Sequence, residues 1–396
     1  MLYRQFGDKQ LSLLGMGAMR LPTTEHRGPI DEELVFQMVD YAYKNGINYF
    51  DTAFRYHGGH SEVVLGKALS RYPRDTWYLA TKFPGHMFDI EEDKLVFRSY
   101  GGGASEYYNS VGHIFETQLD RCGVDYFDFY LLHNVSEGAL SYYEDEELGI
   151  FEYLVEQKKA GRIKHLGFST HGRPETVARM LEKWKEHIEF VQIQINYLDW
   201  TLQDAKSKYE IIASHGIPVI AMEPVRGGRL ASLPIEAESI LKAIRPNDTP
   251  ASWGLRYLQA LDNIPVILSG MSNMEQLVEN IQTLSNDDPV TDRERLLLNA
   301  AVGYMTDMVP CTACEYCLEK CPANLEIAKL ISIYNEAKTD GIWSVGDVVS
   351  NLAEDELPDA CERCGECANV CPQSIDVPKV MEEFGDLIAN PPPRRR

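Results

Sequence analysis

Short apolar runs alternate with longer amphipathic stretches as far as about residue 300 of this 396-residue chain. The runs Ser12–Gly17, Tyr49–Thr52, Trp77–Thr81, Tyr126–Leu132, His165–Ser169, Phe190–Ile195, Val219–Glu223 and Pro265–Ser269 predict strands. Between them apolar positions recur at helical spacing, as in Asp31–Lys44 and Ser61–Leu69. Eight strand–helix units in succession predict an α/β fold with a parallel sheet. The sheet is either a closed (β/α)8 barrel of the TIM type or an open, doubly wound sheet, and periodicity does not separate the two. Two short runs, Leu2–Gln5 and Ser12–Leu14, predict a hairpin plugging the bottom of such a barrel.

Two segments break the alternation. Arg98–Gly112 carries Gly101, Gly102 and Gly103 but lacks the GK[ST] ending of a phosphate-binding P-loop, so it reads as a flexible loop over the barrel mouth. Asn134–Leu148 is acidic and is expected at the surface. Near residue 300 the pattern changes to two cysteine groups flanking Asn324–Ala360, whose apolar spacing is helical. The terminal PPPRRR cannot pack and predicts a disordered tail. The expected organisation is a barrel over 1–300, a small, mainly α-helical domain over 301–390 and a tail over 391–396.

A hydrophobic fraction of 44 % supports one large core and a smaller one. The formal net charge of −22 repels phosphate backbones and anionic membranes, which argues against nucleic-acid binding as the main activity. It would suit a basic protein partner, but most acidic proteins are simply soluble. The N-terminal residues lack a basic stretch leading into an apolar run, and no segment reaches the roughly 18 apolar residues of a membrane span. The expectation is a cytoplasmic protein. No pattern bears on oligomeric state.

Of the nine cysteines, Cys122 stands alone in a patterned stretch and reads as a small buried hydrophobe. The others form two identical runs. Cys311, Cys314, Cys317 and Cys321 precede Pro322, and Cys361, Cys364, Cys367 and Cys371 precede Pro372. Both read C-x2-C-x2-C-x3-C-P, the bacterial ferredoxin run. Three thiolates two residues apart in a looped backbone reach three irons of one cube, and the fourth, on a diverging segment, reaches the other. The expected ligand sets are Cys311, Cys314, Cys317 and Cys371 for one [4Fe–4S] cluster and Cys361, Cys364, Cys367 and Cys321 for the other. Structural zinc is the alternative, but a tetrahedral ion has no use for the third cysteine and the C-P in each run. The long helical segment between the runs resembles the α-helical ferredoxin domains fused to redox enzymes.

The stretch YFDTAFRYHGGHSEVVLGKAL ends a strand at Asp51 and carries Tyr56 on the adjoining loop. The next strands end with Lys82 and His133. In a parallel barrel these ends share the rim on which active sites are built. The set suits carbonyl reduction. Tyr56 supplies a proton, and a neighbouring Lys82 ammonium is expected to lower its value from about 10. Asp51 holds Lys82, and His133 orients the carbonyl oxygen.

These motifs resemble the aldo/keto reductase superfamily, whose D-T-A-x-x-Y-x-x-x-x-S-E-x-x-L-G signature DTAFRYHGGHSEVVLGKAL follows. LATK, YLLH, HLGFST, FVQIQIN, AMEPVRGGRL and SGMSNMEQLVEN match later stretches of that family, over roughly residues 1–300, and the C-terminal cysteine runs point to its iron–sulfur-fused branch. The resemblance implies a nicotinamide dinucleotide bound without a Rossmann fingerprint. It implies Ser169 and Gln192 at the nicotinamide carboxamide, with Thr170 where Asn is common. Met222 stands where many members stack an aromatic ring. The loop from Pro224 through Gly227, Gly228 and Arg229 would wrap the pyrophosphate, and Glu279 and Asn280 would face the adenine. SGMSNMEQLVEN lacks the basic residues that meet a 2′-phosphate, which favours NADH over NADPH.

Three functions follow as expectations: an NAD(P)H-dependent reductase of a small-molecule carbonyl; an electron-transfer reductase working with the clusters or with an external electron-carrier protein such as ferredoxin; and a non-catalytic redox sensor, against which the intact tetrad argues. A nicotinamide passes two electrons and a cubane one at a time, and no motif demands the flavin that usually bridges that difference.

Overall fold

The structure, a computed structural model, describes residues 1–25, 28–91, 94–97, 106–305, 308–309, 311, 317–371 and 375–393. It comprises two compact units. The first gathers Met1–Asn196, Ser207–Ser232 and Thr249–Thr291, and the second gathers Tyr197–Lys206, Leu233–Asp248 and Asp292–Arg396.

The first unit opens with an antiparallel hairpin, β1 (Tyr3–Phe6) and β2 (Lys9–Ser12). Its second strand is Lys9–Ser12 rather than the expected Ser12–Leu14. Gly7, at φ 55°, and Asp8 make a two-residue turn directly after Phe6, so pairing begins at Lys9 and Leu14 is left for the barrel. Phe6 and the fully buried Leu11 enter an apolar cluster with Tyr49, Phe129 and Phe190, and the Phe6 ring meets the Phe129 ring edge-on at 5.1 Å. The hairpin's apolar side is thereby covered by inward-facing strand residues.

The remaining strands are β3 (Leu14–Gly17), β4 (Tyr49–Asp51), β5 (Tyr78–Phe83), β6 (Phe88–Glu91), β7 (Lys94–Phe97), β8 (Glu106–Tyr108), β9 (Phe127–Leu132), β10 (Ile163–Thr170), β11 (Phe190–Gln194), β12 (Val219–Met222) and β13 (Val266–Gly270). Eight of them, in the order β3-β4-β5-β9-β10-β11-β12-β13, form a parallel sheet that closes where β13 pairs β3, Ile267 opposite Leu14 and Gly270 opposite Gly17. The closed barrel, not the open sheet, is therefore the fold. Its strands read as unbroken apolar runs because one face fills the barrel and the other lies under helices.

Strands β6, β7 and β8 form a separate antiparallel sheet inserted after β5. Of the segment expected as one loop, Arg98–Gly112, residues 98–105 lie outside the described residues. The rest is ordered: Tyr108 ends β8, buried against Phe54 and Phe88, and Ser110 caps the helix Val111–Cys122 by accepting from His113 N at 3.1 Å. The expected exposure of Asn134–Leu148 also needs correction. Val135, Ala139, Leu140 and Tyr143 are buried, and the Tyr143 hydroxyl donates to the carbonyl oxygens of His133 and Phe83. The acidic residues of this segment mask an apolar underside. Cys122 is buried, as expected.

The second unit is helical. Helices Ile327–Asp340 and Val377–Ala389 pack through Leu330, Ile331, Tyr334, Met381 and Phe384, and Cys367 belongs to the same core. The helix Ile235–Lys242 lies against Asp292–Met305, and Arg245 pairs with Glu294 at 2.6 Å. The Ser332 hydroxyl donates to the Leu202 carbonyl at 2.9 Å. Among the described residues, no helix is long and apolar enough to cross a membrane.

Candidate active site

The eight barrel strands are parallel, so their C-terminal ends meet at one rim. Asp51 ends β4, Lys82 is the penultimate residue of β5 and His133 follows β9. Tyr56 begins a tight turn in which His57, Gly58 and Gly59 are all left-handed. Two glycines adopt that conformation readily; His57 pays about 1 kcal/mol for it. Its Nε2 accepts from Leu21 N at 3.1 Å, which holds the turn. The HGG sequence thus redirects the chain abruptly from β4 into the helix His60–Leu69.

A cavity of about 690 Å³ opens at this rim. Asp51, Tyr56, Lys82 and His133 line it, as do Ser169, Gln192, Met222, Pro224, Gly227, Gly228, Glu279 and Asn280. Thr170 and Arg229 do not. The Thr170 hydroxyl is engaged with the Val135 carbonyl and the Gly172 N–H, and Arg229 is exposed on the loop after β12.

The Lys82 ammonium is fully buried. It donates to Asp51 Oδ1 at 2.6 Å, to the Thr52 carbonyl at 2.7 Å and to Tyr56 Oη at 3.3 Å, and it lies 4.8 Å from the centroid of the Tyr56 ring. Burial pushes its value down, but Asp51 and Tyr56 outweigh that and hold it above the ordinary lysine value. Lys82 stays a cation. For Tyr56 the expectation of a lowered value needs correction. Burial dominates and raises it; Lys82 pulls it down without reversing the shift. The phenol is therefore a neutral donor across the physiological range. The Tyr56 and His133 rings stand edge to face, 6.1 Å apart, so both side chains border the space in front of the phenol.

The cavity also has polar groups suited to an amide. Gln192 Oε1 is buried and has no hydrogen-bond partner among the described residues, while its Nε2 faces Met222 Sδ at 3.5 Å. Ser169 Oγ accepts from Asn134 N at 3.0 Å, which leaves its own proton to donate. An acceptor and a donor at adjacent strand ends fit the carboxamide of a nicotinamide. Deeper along the wall, Asn280 Nδ2 donates to Ser269 Oγ at 3.0 Å, and Glu279 accepts from the Thr249 hydroxyl.

Several contributors carry no sequence signal. The Thr52 carbonyl is a backbone atom, available to any residue type. Tyr143 ties together the ends of β5 and β9 from a segment that reads as acidic surface.

In the second unit, Cys321, Cys361, Cys364 and Cys367 line one cavity with Leu325, Val377 and Met381. The first of these comes from one cysteine run and the other three from the second. Cys311, Cys317 and Cys371 border the same apolar core; Cys314 lies outside the described residues. Among the described residues, no three Cys, His, Asp or Glu side chains converge on a point fit for a single ion. Four thiols drawn from both runs and bordered by apolar side chains are the donor set that a cubane takes.

Residues 13–294 match the aldo/keto reductase family, and residues 310–375 match the 4Fe-4S dicluster domain. An uncharacterised oxidoreductase of Bacillus subtilis (strain 168) is 27 % identical over 308 residues, 72 % of this chain and 91 % of that protein. An NADH-specific methylglyoxal reductase of Escherichia coli (strain K12) is 23 % identical over 70 % of this chain and 91 % of its own length. A probable aldo-keto reductase of Glycine max is 30 % identical over 221 residues, 55 % of this chain, which spans 57 % of that protein. Among solved structures, the holo form of an aldo-keto reductase from Bacillus halodurans superposes with a TM-score of 0.58 at 28 % identity, covering 76 % of this chain and 96 % of that one.

Proposed function

From the membership of this chain in the aldo/keto reductase family, which makes it an oxidoreductase, we propose that it reduces a small-molecule carbonyl with NADH or NADPH and carries two [4Fe–4S] clusters. The observation that carries this reading is the Lys82 ammonium, buried between Asp51 and Tyr56 at the rim of the cavity. When bound, the dinucleotide supplies the hydride that the carbonyl carbon receives.

The chain's own residues do the rest. Ser169 and Gln192 hold the carboxamide, and Met222 packs its thioether beside them. The loop from Pro224 to Arg229 covers the pyrophosphate, and Thr170 ties the segments after β9 and β10 together through the Val135 carbonyl and the Gly172 N–H. Glu279 and Asn280 meet the adenine side. A carboxylate and an amide there favour NADH; the arginines of the cavity, Arg20 and Arg55, come from other elements. His133 orients the carbonyl oxygen as negative charge grows on it. Tyr56 donates its proton to that oxygen, and the adjacent Lys82 cation stabilises the phenolate left behind. Asp51 keeps Lys82 in place. Cys311, Cys314, Cys317 and Cys371 would hold one cubane, and Cys321, Cys361, Cys364 and Cys367 the other.

Tyr56→Phe removes the proton and keeps the ring. Carbonyl-dependent oxidation of NADH should fall by about 10²–10⁴-fold. Turnover at the wild-type rate would mean that Tyr56 is not the acid.

The dicluster match supports a second reading, in which the clusters feed or drain electrons during catalysis. The two readings differ in the route that hydrogen takes to the product.

A further inference from the structure

Glu62, in the first turn of the helix His60–Leu69, is fully buried. Its Oε1 accepts from Thr81 Oγ1 at 2.7 Å and from Gln118 Nε2 at 2.7 Å. Gln118 Nε2 also reaches the carbonyl oxygen of Lys82 at 3.1 Å, and Gln118 Oε1 accepts from the Tyr130 hydroxyl at 2.5 Å. On its other side, Glu62 Oε2 lies 3.5 Å from Arg121 Nη1. That same nitrogen donates at 3.3 Å to the carbonyl of Phe54, two residues before Tyr56, and the guanidinium sits 4.5 Å from the Phe54 ring centroid.

One carboxylate therefore ties the strand that carries Lys82 to the turn that carries Tyr56. Burying a carboxylate costs several kcal/mol, and well-packed apolar side chains often serve stability as well or better. Stability alone gives no reason for this group. What the network does fix is the relative position of two chain segments whose side chains must meet.

The geometry points to Glu62 as a positioning residue that, through Gln118 and Arg121, sets the separation between Lys82 Nζ and Tyr56 Oη and so the acidity of Tyr56. The inference rests on the reading of Tyr56 as the proton donor. The phenol also faces His133 and the carboxylates of Asp51 and Glu223, which push its value up; if the network loosens, Lys82 moves off the phenol and its downward pull on the Tyr56 value weakens. The acid then ionises at higher pH.

The test uses the full chain with its clusters, as E62Q and as R121Q. Both variants should lower kcat about tenfold, as a misplacement of under 1 Å implies, with KM for NADH and for the aldehyde within about twofold. In both, the alkaline limb of the kcat profile should move to higher pH. In the crystal structure of E62Q, the Lys82–Tyr56 separation should exceed hydrogen-bonding distance. A limb that stays in place overturns the inference, as does a loss of activity that only follows the folded fraction in thermal melts. If wild type reduces no carbonyl, the proposed function fails and the crystallographic separation alone decides: an unchanged 3.3 Å overturns the positioning role, and a longer one supports it.

Discussion

Three oxygens converge on the Lys82 ammonium, and each has a different dependence on it. Asp51 neutralises it, the Thr52 carbonyl aims it, and Tyr56 receives what remains of its field. Because Asp51 and Lys82 are both buried, removing either strands the other. Lys82→Met should destabilise the fold by about 3–5 kcal/mol through the unpaired Asp51. The double variant K82M/D51N should recover much of that loss, as read by denaturant unfolding. Titration adds a sign. The folded value of Lys82 lies above the ordinary 10.5, so the stability it contributes is fully present below 10.5 and is lost as pH rises through the folded value. Above that pH the gap between wild type and K82M/D51N should therefore move against wild type; at the acid end it should do the same as pH rises from 3.8, because burial holds the folded value of Asp51 above it. At this scale Asp51, Tyr56, Lys82 and His133 were legible because residue type and strand-end position both mark them. The Thr52 carbonyl and Gln118 were not. The first is a backbone atom, and the second acts through contacts between residues far apart in sequence.

At the level of elements, all eight barrel strands were legible as apolar runs bounded by turn residues, each within three residues of its observed ends. Closure was legible from the family resemblance and the strand-end tetrad and not from periodicity, because an open parallel sheet presents the same runs. The β6-β7-β8 sheet escaped notice because its strands are short and lie beside a glycine-rich stretch that reads as loop. The helices His60–Leu69 and Val111–Cys122, which carry Glu62, Gln118 and Arg121, approach closely at Gly66. A Cβ there would meet the Cys122 carbonyl oxygen at 2.3 Å, a backbone contact that no rotamer change relieves. Gly66→Ala should separate the helices and cost about 1–3 kcal/mol, measured by chemical denaturation. An unchanged midpoint would show that the two helices slide apart freely.

For the whole molecule, the question is whether the cysteine unit and the barrel share electrons. The repeated C-x2-C-x2-C-x3-C-P run marks the cysteines proposed as ligands. The proposed exchange of the fourth cysteine between runs is supported by one cavity that combines Cys321 with Cys361, Cys364 and Cys367. Anaerobically purified protein should hold about eight irons and as much acid-labile sulfide per chain. Cys321→Ser should lower the iron content by about half. Full retention would contradict Cys321 as a ligand. The substrate was not legible, since the loops that select it follow no general pattern. The central proposal is that hydride passes directly to the carbonyl carbon while Tyr56 protonates the oxygen. The measurement that bears on it most directly is reduction of an aldehyde by NADH stereospecifically deuterated at the transferable C4 position, in ordinary water. Direct transfer predicts one deuterium on the carbinol carbon of the product. Hydrogen from solvent at that carbon, with the label gone, would contradict it and assign the reducing electrons to a route through the clusters.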